Sequence, residues 1–134
     1  MKIDKLKYLI EAESPYNDGW TKDFYQKIIN TMKSKSFEEL NIDVLKWAEE
    51  RGIFTKGDSL AQLAKTQEEL DETIQAVKDQ DDVEIADGIG DMLVTIIIAA
   101  KMTGFDPVAC LHQAYNEIKN RKGKMIDGQF VKDV

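Results

Sequence analysis

The chain has 134 residues and a mass of 15.3 kDa, the size of one domain with a modest core. Its 25 Asp and Glu against 18 Lys and Arg give a formal charge of -7, which excludes non-specific attraction to nucleic acid or to an anionic membrane. A hydrophobic fraction of 43% with 32% charged residues excludes a largely disordered chain and fits a globular one with much exposed helix surface.

Cys110 is the single cysteine, so no internal disulfide is available, and its helical setting predicts a buried, small apolar side chain. The N-terminus MKIDKLKYLIEAES lacks an uninterrupted apolar stretch, and the run 92–100 is broken by Thr95 and too short to span a bilayer. A soluble, cytoplasmic protein is expected.

In chain order, KIDKLKYLIEAE reads as a helix with Ile3, Leu6, Leu9 and Ile10 on one side, followed by a turn-rich break at 13–20. Residues 21–33 place Phe24, Ile28, Ile29 and Met32 at helical spacing behind Thr21 as N-cap. The segment NIDVLKWAEERG reads as a helix carrying Ile42, Leu45 and Trp47 and closed by Gly52. Ser59 is expected to cap a helix to about residue 79 with Leu63, Leu70, Ile74 and Val77 as its inner stripe.

A further helix is expected from about 83 to 103, stopping at Gly104. Val, Thr and Ile at 92–100 also favour strand, but the chain has no alternating partner strands and the flanking Asp spacing is helical. Asp106 and Pro107 then begin a last helix, with Val108, Leu111, Ala114, Tyr115 and Ile118 inward, ending at Gly123. The tail KMIDGQFVKD predicts a short hairpin around Asp127 and Gly128. The fold class is all-α: a helical bundle with a C-terminal hairpin, read as one domain over 1–134, with an N-terminal helical extension at 1–40, a core at 42–122 and a tail at 123–134.

Two acid clusters carry the chemistry. EELDE places Glu68, Glu69 and Glu72 within one turn of a helix, and DGIGD places Asp87 and Asp91 four apart with Glu84 one turn earlier. Taken alone, EELDE is most simply a solvated helix face. The second cluster runs into Met92, Leu93, Val94, Ile96, Ile97 and Ile98, apolar on every side and so expected to be buried on every side, with Asp91 at the core's edge. An uncompensated anion there costs several kcal/mol. Between residues 66 and 100 the sole basic residue is Lys78, so a cation is the economical remedy. Several carboxylates without a local His or thiolate suit Mg²⁺ or Mn²⁺ rather than Zn²⁺. His112 reads as a surface or packing residue, and Trp20, Trp47 and Phe54 read chiefly as packing residues that would otherwise stack on a base.

The pattern E-E-x-x-E, a spacer, then an acidic pair closing in G-D before an apolar helix resembles the MazG-like, all-α nucleoside triphosphate pyrophosphohydrolases, kin to dimeric dUTPases and phosphoribosyl-ATP pyrophosphohydrolases. The resemblance covers about residues 42–122: Glu68, Glu69 and Glu72 match the first half and Asp91 the closing aspartate. The second half is commonly E-x-x-D, and three residues before Asp91 stands Gly88. Asp87 is the substitute, although Glu84 and Asp87 also spell E-x-x-D one turn earlier. The resemblance implies phosphate-contacting residues late in the chain, where Asn116, Lys119, Arg121 and Lys122 stand and where Glu117 occupies a position that is often basic.

What the resemblance implies is Mg²⁺-dependent cleavage of a (deoxy)nucleoside triphosphate between its α and β phosphates, giving the monophosphate and pyrophosphate. Glu69, Glu72, Asp87 and Asp91 are the expected metal ligands, Glu68, Glu69, Glu72 and Asp91 the catalytic set, and Glu68 the general base. A homodimer or homotetramer is expected to cover the apolar helix. Two other readings stand beside it: a catalytically weak metal-binding regulatory module, because Gly88 thins the acid set, and a plain helical oligomer with solvated acids.

Overall fold

The computed structural model of the chain describes residues 35–134. The helices expected at the N-terminus and over 21–33, and with them Trp20, lie outside the described residues.

Helix α1 (Phe37–Glu50) opens on Ser36, whose Oγ accepts from the Glu39 N–H at 3.2 Å while a Glu39 carboxylate oxygen accepts from the Ser36 N–H at 3.3 Å. This capping box satisfies two orphan amides reciprocally, which starts the helix at Phe37 rather than at Asn41. The helix closes at Gly52, as expected, with φ of 71°. One turn, α2 (Ile53–Lys56), follows.

Helix α3 (Ser59–Lys78) is capped by Asp58 and not by Ser59: Asp58 Oδ1 accepts from the Ala61 N–H at 2.8 Å. Its end is a Schellman turn in which Asp81 N–H reaches the Ala76 carbonyl and Gln80 N–H the Val77 carbonyl, with Gln80 at φ 54°. Asp81 immediately caps α4 (Asp82–Met102), accepting from the Glu84 N–H at 3.2 Å. So tight a reversal makes α3 and α4 an antiparallel hairpin, and their mutual packing is the most extensive of any helix pair. Residues 92–100 are helical, as the Asp spacing indicates.

After Gly104, at φ 86°, Asp106 caps α5 (Pro107–Ile118): its Oδ2 accepts from the Ala109 N–H at 2.9 Å. Its Oδ1 also accepts from Asn41 Nδ2 at 3.3 Å, fastening buried Asn41 of α1 to the start of α5. Helix α5 stops at Ile118 and not at Gly123, so Lys119 is its C-cap and Arg121 and Lys122 lie in the connection beyond it. Strands β1 (Gly123–Ile126) and β2 (Gln129–Lys132) then pair antiparallel. Ile126 faces Gln129 and leaves Asp127 and Gly128 as a two-residue loop, both at positive φ, as a type I′ turn requires. The expected all-α class with a terminal hairpin is what the chain adopts.

The inner faces differ from those read off the periodicity. Leu63, Leu70, Ile74 and Val77 are exposed at 39–55%, while the residues that α3 buries are Glu69, Thr73 and Ala76. On α4, Thr95, Ile97, Ile98 and Ala99 are buried, but Ile89, Leu93 and Ile96 are exposed, so this helix is not covered all round within the chain. Leu111, Tyr115 and Ile118 of α5 and the thiol residue Cys110 are exposed as well, against expectation. The physical reason is at the α3–α4 seam, where Thr73, Ala76, Gly88 and Thr95 are small enough to let the backbones close together. Small residues win the close contact, and the bulkier stripes turn outward. Leu63 of α3 and Ile96 of α4 line one cavity, of about 450 Å³, with Cys110 and Leu111 of α5, so both stripes lie on the same side of the hairpin. Among the described residues no helix is long and apolar enough to cross a membrane.

Candidate active site

With the apolar stripes on one side of the hairpin, the other flanks of both helices share the opposite side. That side carries Glu68, Glu69 and Glu72 from α3 and Asp87 and Asp91 from α4. The register is fixed by Thr73 against Gly88: a Cβ added to Gly88 would collide with Thr73 Oγ1 and lie 3.2 Å from Thr73 Cβ. In an antiparallel pair this crossing sets Glu72 midway along the axis between Asp87 and Asp91, about 3 Å, two residues' rise, from the level of each. About one turn from the crossing, Glu69 stands within about 1.5 Å of the level of Asp91.

Burial is divided differently from expectation. Glu69, only 8% exposed, is the buried acid; Asp87 is half-buried, and Glu68, Glu72, Glu84 and Asp91 are exposed. The desolvation problem therefore falls on Glu69 and not on Asp91. A cation is already beside it. Lys65 Nζ stands 3.6 Å from Glu69 Oε1 and 2.9 Å from Glu68 Oε2. The Glu68 hydrogen bond first, then that residue's charge, holds the Lys65 ammonium above the ordinary lysine range. Lys65 lies just ahead of the window in which only Lys78 is basic; its spacing of three and four residues to Glu68 and Glu69 is the signal that marks it. Because Lys65 and Glu68 are both well exposed, that pair contributes little to stability.

As the side chains stand, no group of three or more His, Cys, Asp or Glu among the described residues is gathered closely enough to hold a metal ion. The donor set fits a hard cation in kind: carboxylates only, drawn from facing levels of two helices, with Glu69 buried in the seam between them. Asn116 is exposed on α5, and Lys119, Arg121 and Lys122 are exposed beyond its last residue, Ile118. His112 is exposed, as a surface residue should be. Trp47 is not a core residue: it is 44% exposed, and the Arg51 guanidinium lies 4.5 Å from the centre of its ring. Phe54 is half-buried beside Ile42, Leu45 and Lys101 in a groove of about 460 Å³.

An all-α chain with an antiparallel helix pair and acids at matching levels on one side has the build of an all-α nucleotide pyrophosphohydrolase. Comparison with known families agrees: the family phosphoribosyl-ATP pyrophosphohydrolase matches residues 21–117, and the chain belongs to that family, part of the MazG-like all-α NTP pyrophosphatase superfamily. The match starts at Thr21, ahead of residue 42 where the motif-based resemblance begins. No curated protein and no solved structure matches the chain. Membership gives the general activity, hydrolysis of a phosphoanhydride in a nucleotide.

Proposed function

We propose that the acidic side of the α3–α4 hairpin is a Mg²⁺-dependent site that cleaves (deoxy)nucleoside triphosphates to the monophosphate and pyrophosphate. The observation that carries this reading is the convergence of levels, with Glu69 close to the level of Asp91 and Glu72 midway between Asp87 and Asp91, beside Glu69 as the carboxylate that the hairpin buries. Glu69, Glu72, Asp87 and Asp91 would hold the ion, with Mn²⁺ as an acceptable substitute. Once bound, such an ion neutralises charge on the phosphate oxygens and lowers the pKa of a coordinated water.

The chain's own groups do the rest. Glu68, outside the ligand set and next to it, takes the proton of the attacking water. Lys65, already turned toward Glu68 and Glu69, balances the site's negative charge before the ion arrives. Asn116, Lys119, Arg121 and Lys122 supply donors to the polyphosphate. A second copy covers the apolar side of the hairpin, giving a homodimer or a homotetramer, and the protein works in the cytoplasm.

The test is a nucleotide panel with Mg²⁺ that includes ribo- and deoxynucleoside triphosphates and phosphoribosyl-ATP, with products separated by chromatography. A monophosphate product and pyrophosphate in equal amounts are expected. Diphosphate with inorganic phosphate, or no product from any nucleotide, would contradict the reading.

A further inference from the structure

We infer that Thr73 and Gly88 are positioning residues: their contact sets the spacing of α3 and α4 and thereby the separation of the carboxylates on either side of it. The inference rests on the proposed site and deepens it.

Gly88 is buried in the seam, at the position where the resemblance would place an acid. The structure gives a reason why no acid stands there. Its missing side chain is the space that Thr73 fills: an added Cβ would overlap Thr73 Oγ1, lie 3.2 Å from Thr73 Cβ and 3.5 Å from Thr73 Cα. Thr73 cannot swing away cheaply, because it is 7% exposed and its Oγ1 donates to the Glu69 carbonyl at 2.7 Å. That bond ties the notch directly to the backbone of Glu69, the buried carboxylate of the hairpin. Gly90, two residues on, has nothing within 4 Å of an added Cβ, so the demand for glycine at residue 88 comes from the contact and not from the helix itself.

Such a notch has a functional consequence that ordinary packing does not. Glycine within a helix is less favourable than alanine, so its presence at residue 88 calls for an offsetting gain. The gain is close approach. With the helices held near by Thr73 and Gly88, Glu72 and Asp87 flank the notch itself and Glu69 and Asp91 stand one turn away. At that spacing the acids of the two helices can turn toward a common space although none occupies residue 88. Widening the seam separates both pairs at once, and a small hard ion tolerates little stretching of its ligand distances.

The experiment compares wild type, Gly88→Ala, Thr73→Ala and Gly88→Ala/Thr73→Ala, with Thr73→Val as a milder swelling of the contact. Each is checked by circular dichroism and assayed well below its melting temperature. Three readouts are taken: kcat and KM for the best triphosphate, the Mg²⁺ concentration at half-maximal thermal shift without nucleotide, and the α3–α4 axis separation in crystals. For Gly88→Ala we expect wider axes, a Mg²⁺ midpoint raised at least about tenfold and a kcat at least about tenfold lower with KM changed less. Thr73→Val shifts the same way by less, and adding Thr73→Ala to Gly88→Ala recovers most of the loss by removing the colliding oxygen. Unchanged axes with an unchanged Mg²⁺ midpoint in folded Gly88→Ala would overturn the inference. So would a folded double variant with no recovery; should Gly88→Ala fail to fold, the double variant and Thr73→Val decide. A wild type that releases no pyrophosphate refutes the functional reading instead, and the axis separation still judges the notch.

Discussion

Glu69→Gln is expected to lower pyrophosphate release by at least about 100-fold while leaving the fold intact. The change keeps shape and volume and removes only the charge of the one acid that the hairpin buries. Disturbing a group one shell beyond a metal costs about 10- to 100-fold, so a direct ligand should lie at the upper end of that range or past it. Stability without Mg²⁺ should stay level or rise, because a neutral amide is less costly to bury than an anion. Lys65 loses one distant partner and keeps Glu68 at 2.9 Å, a minor effect at an exposed position. Loss of activity together with retained stability separates a site residue from a packing residue. Activity within threefold of wild type would remove Glu69 from the site.

The second large effect concerns the apolar side of the hairpin. Leu63, Leu70, Ile74, Val77, Ile89, Leu93 and Ile96 each expose between 39% and 55% of their surface and lie on one face. Burying the exposed half of such a side chain is worth on the order of 1 kcal/mol, so together they offer several kcal/mol per chain to a partner. Under the proposed function, this is the face that a second copy would cover. A double change, Leu70→Asp with Ile96→Asp, places two charges at its centre. Light scattering after gel filtration is expected to give two or four times 15.3 kDa for the wild type and 15.3 kDa, or loss of folded protein, for the variant. A wild type that runs as a monomer at micromolar concentration would refute self-association through this face.

How far the sequence foretold the molecule depends on the kind of signal each residue gives. Caps and turns are local chemistry, and they read well: Gly52, Gly104, Asp106 with Pro107, and the Asp127–Gly128 loop stand where expected. Ser36 with Glu39 and Asp58 carry the same kind of signal, ahead of the segment start at Asn41 and the cap at Ser59 that the periodicity suggests. The orientation of α3 was not legible, because an apolar period shows that a stripe will be buried but not by what. Leu63, Leu70, Ile74 and Val77 form a sound amphipathic stripe, yet the neighbour within the chain takes the Thr73 and Ala76 side instead.

Spacing alone assigns the acids to two neighbouring helices, and the structure puts them on α3 and α4. Their burial was not legible, since it depends on which flank of α3 meets α4, and so Asp91 stood in for Glu69 as the costly charge. Gly88 looked like a gap in the acid pattern because its partner, Thr73, lies on another helix and fifteen residues away in sequence. The basic residues late in the chain were placed on a helix that in fact ends before them, at Ile118.

The most direct measurement is a calorimetric titration of the full chain with Mg²⁺ in the absence of nucleotide, wild type beside Glu69→Gln. Carboxylates that jointly hold the ion predict saturable binding in the wild type and none in the variant at the same concentrations. Equal heats from the two proteins, or no binding by either, would show that the acids of α3 and α4 are a solvated face and not a metal site.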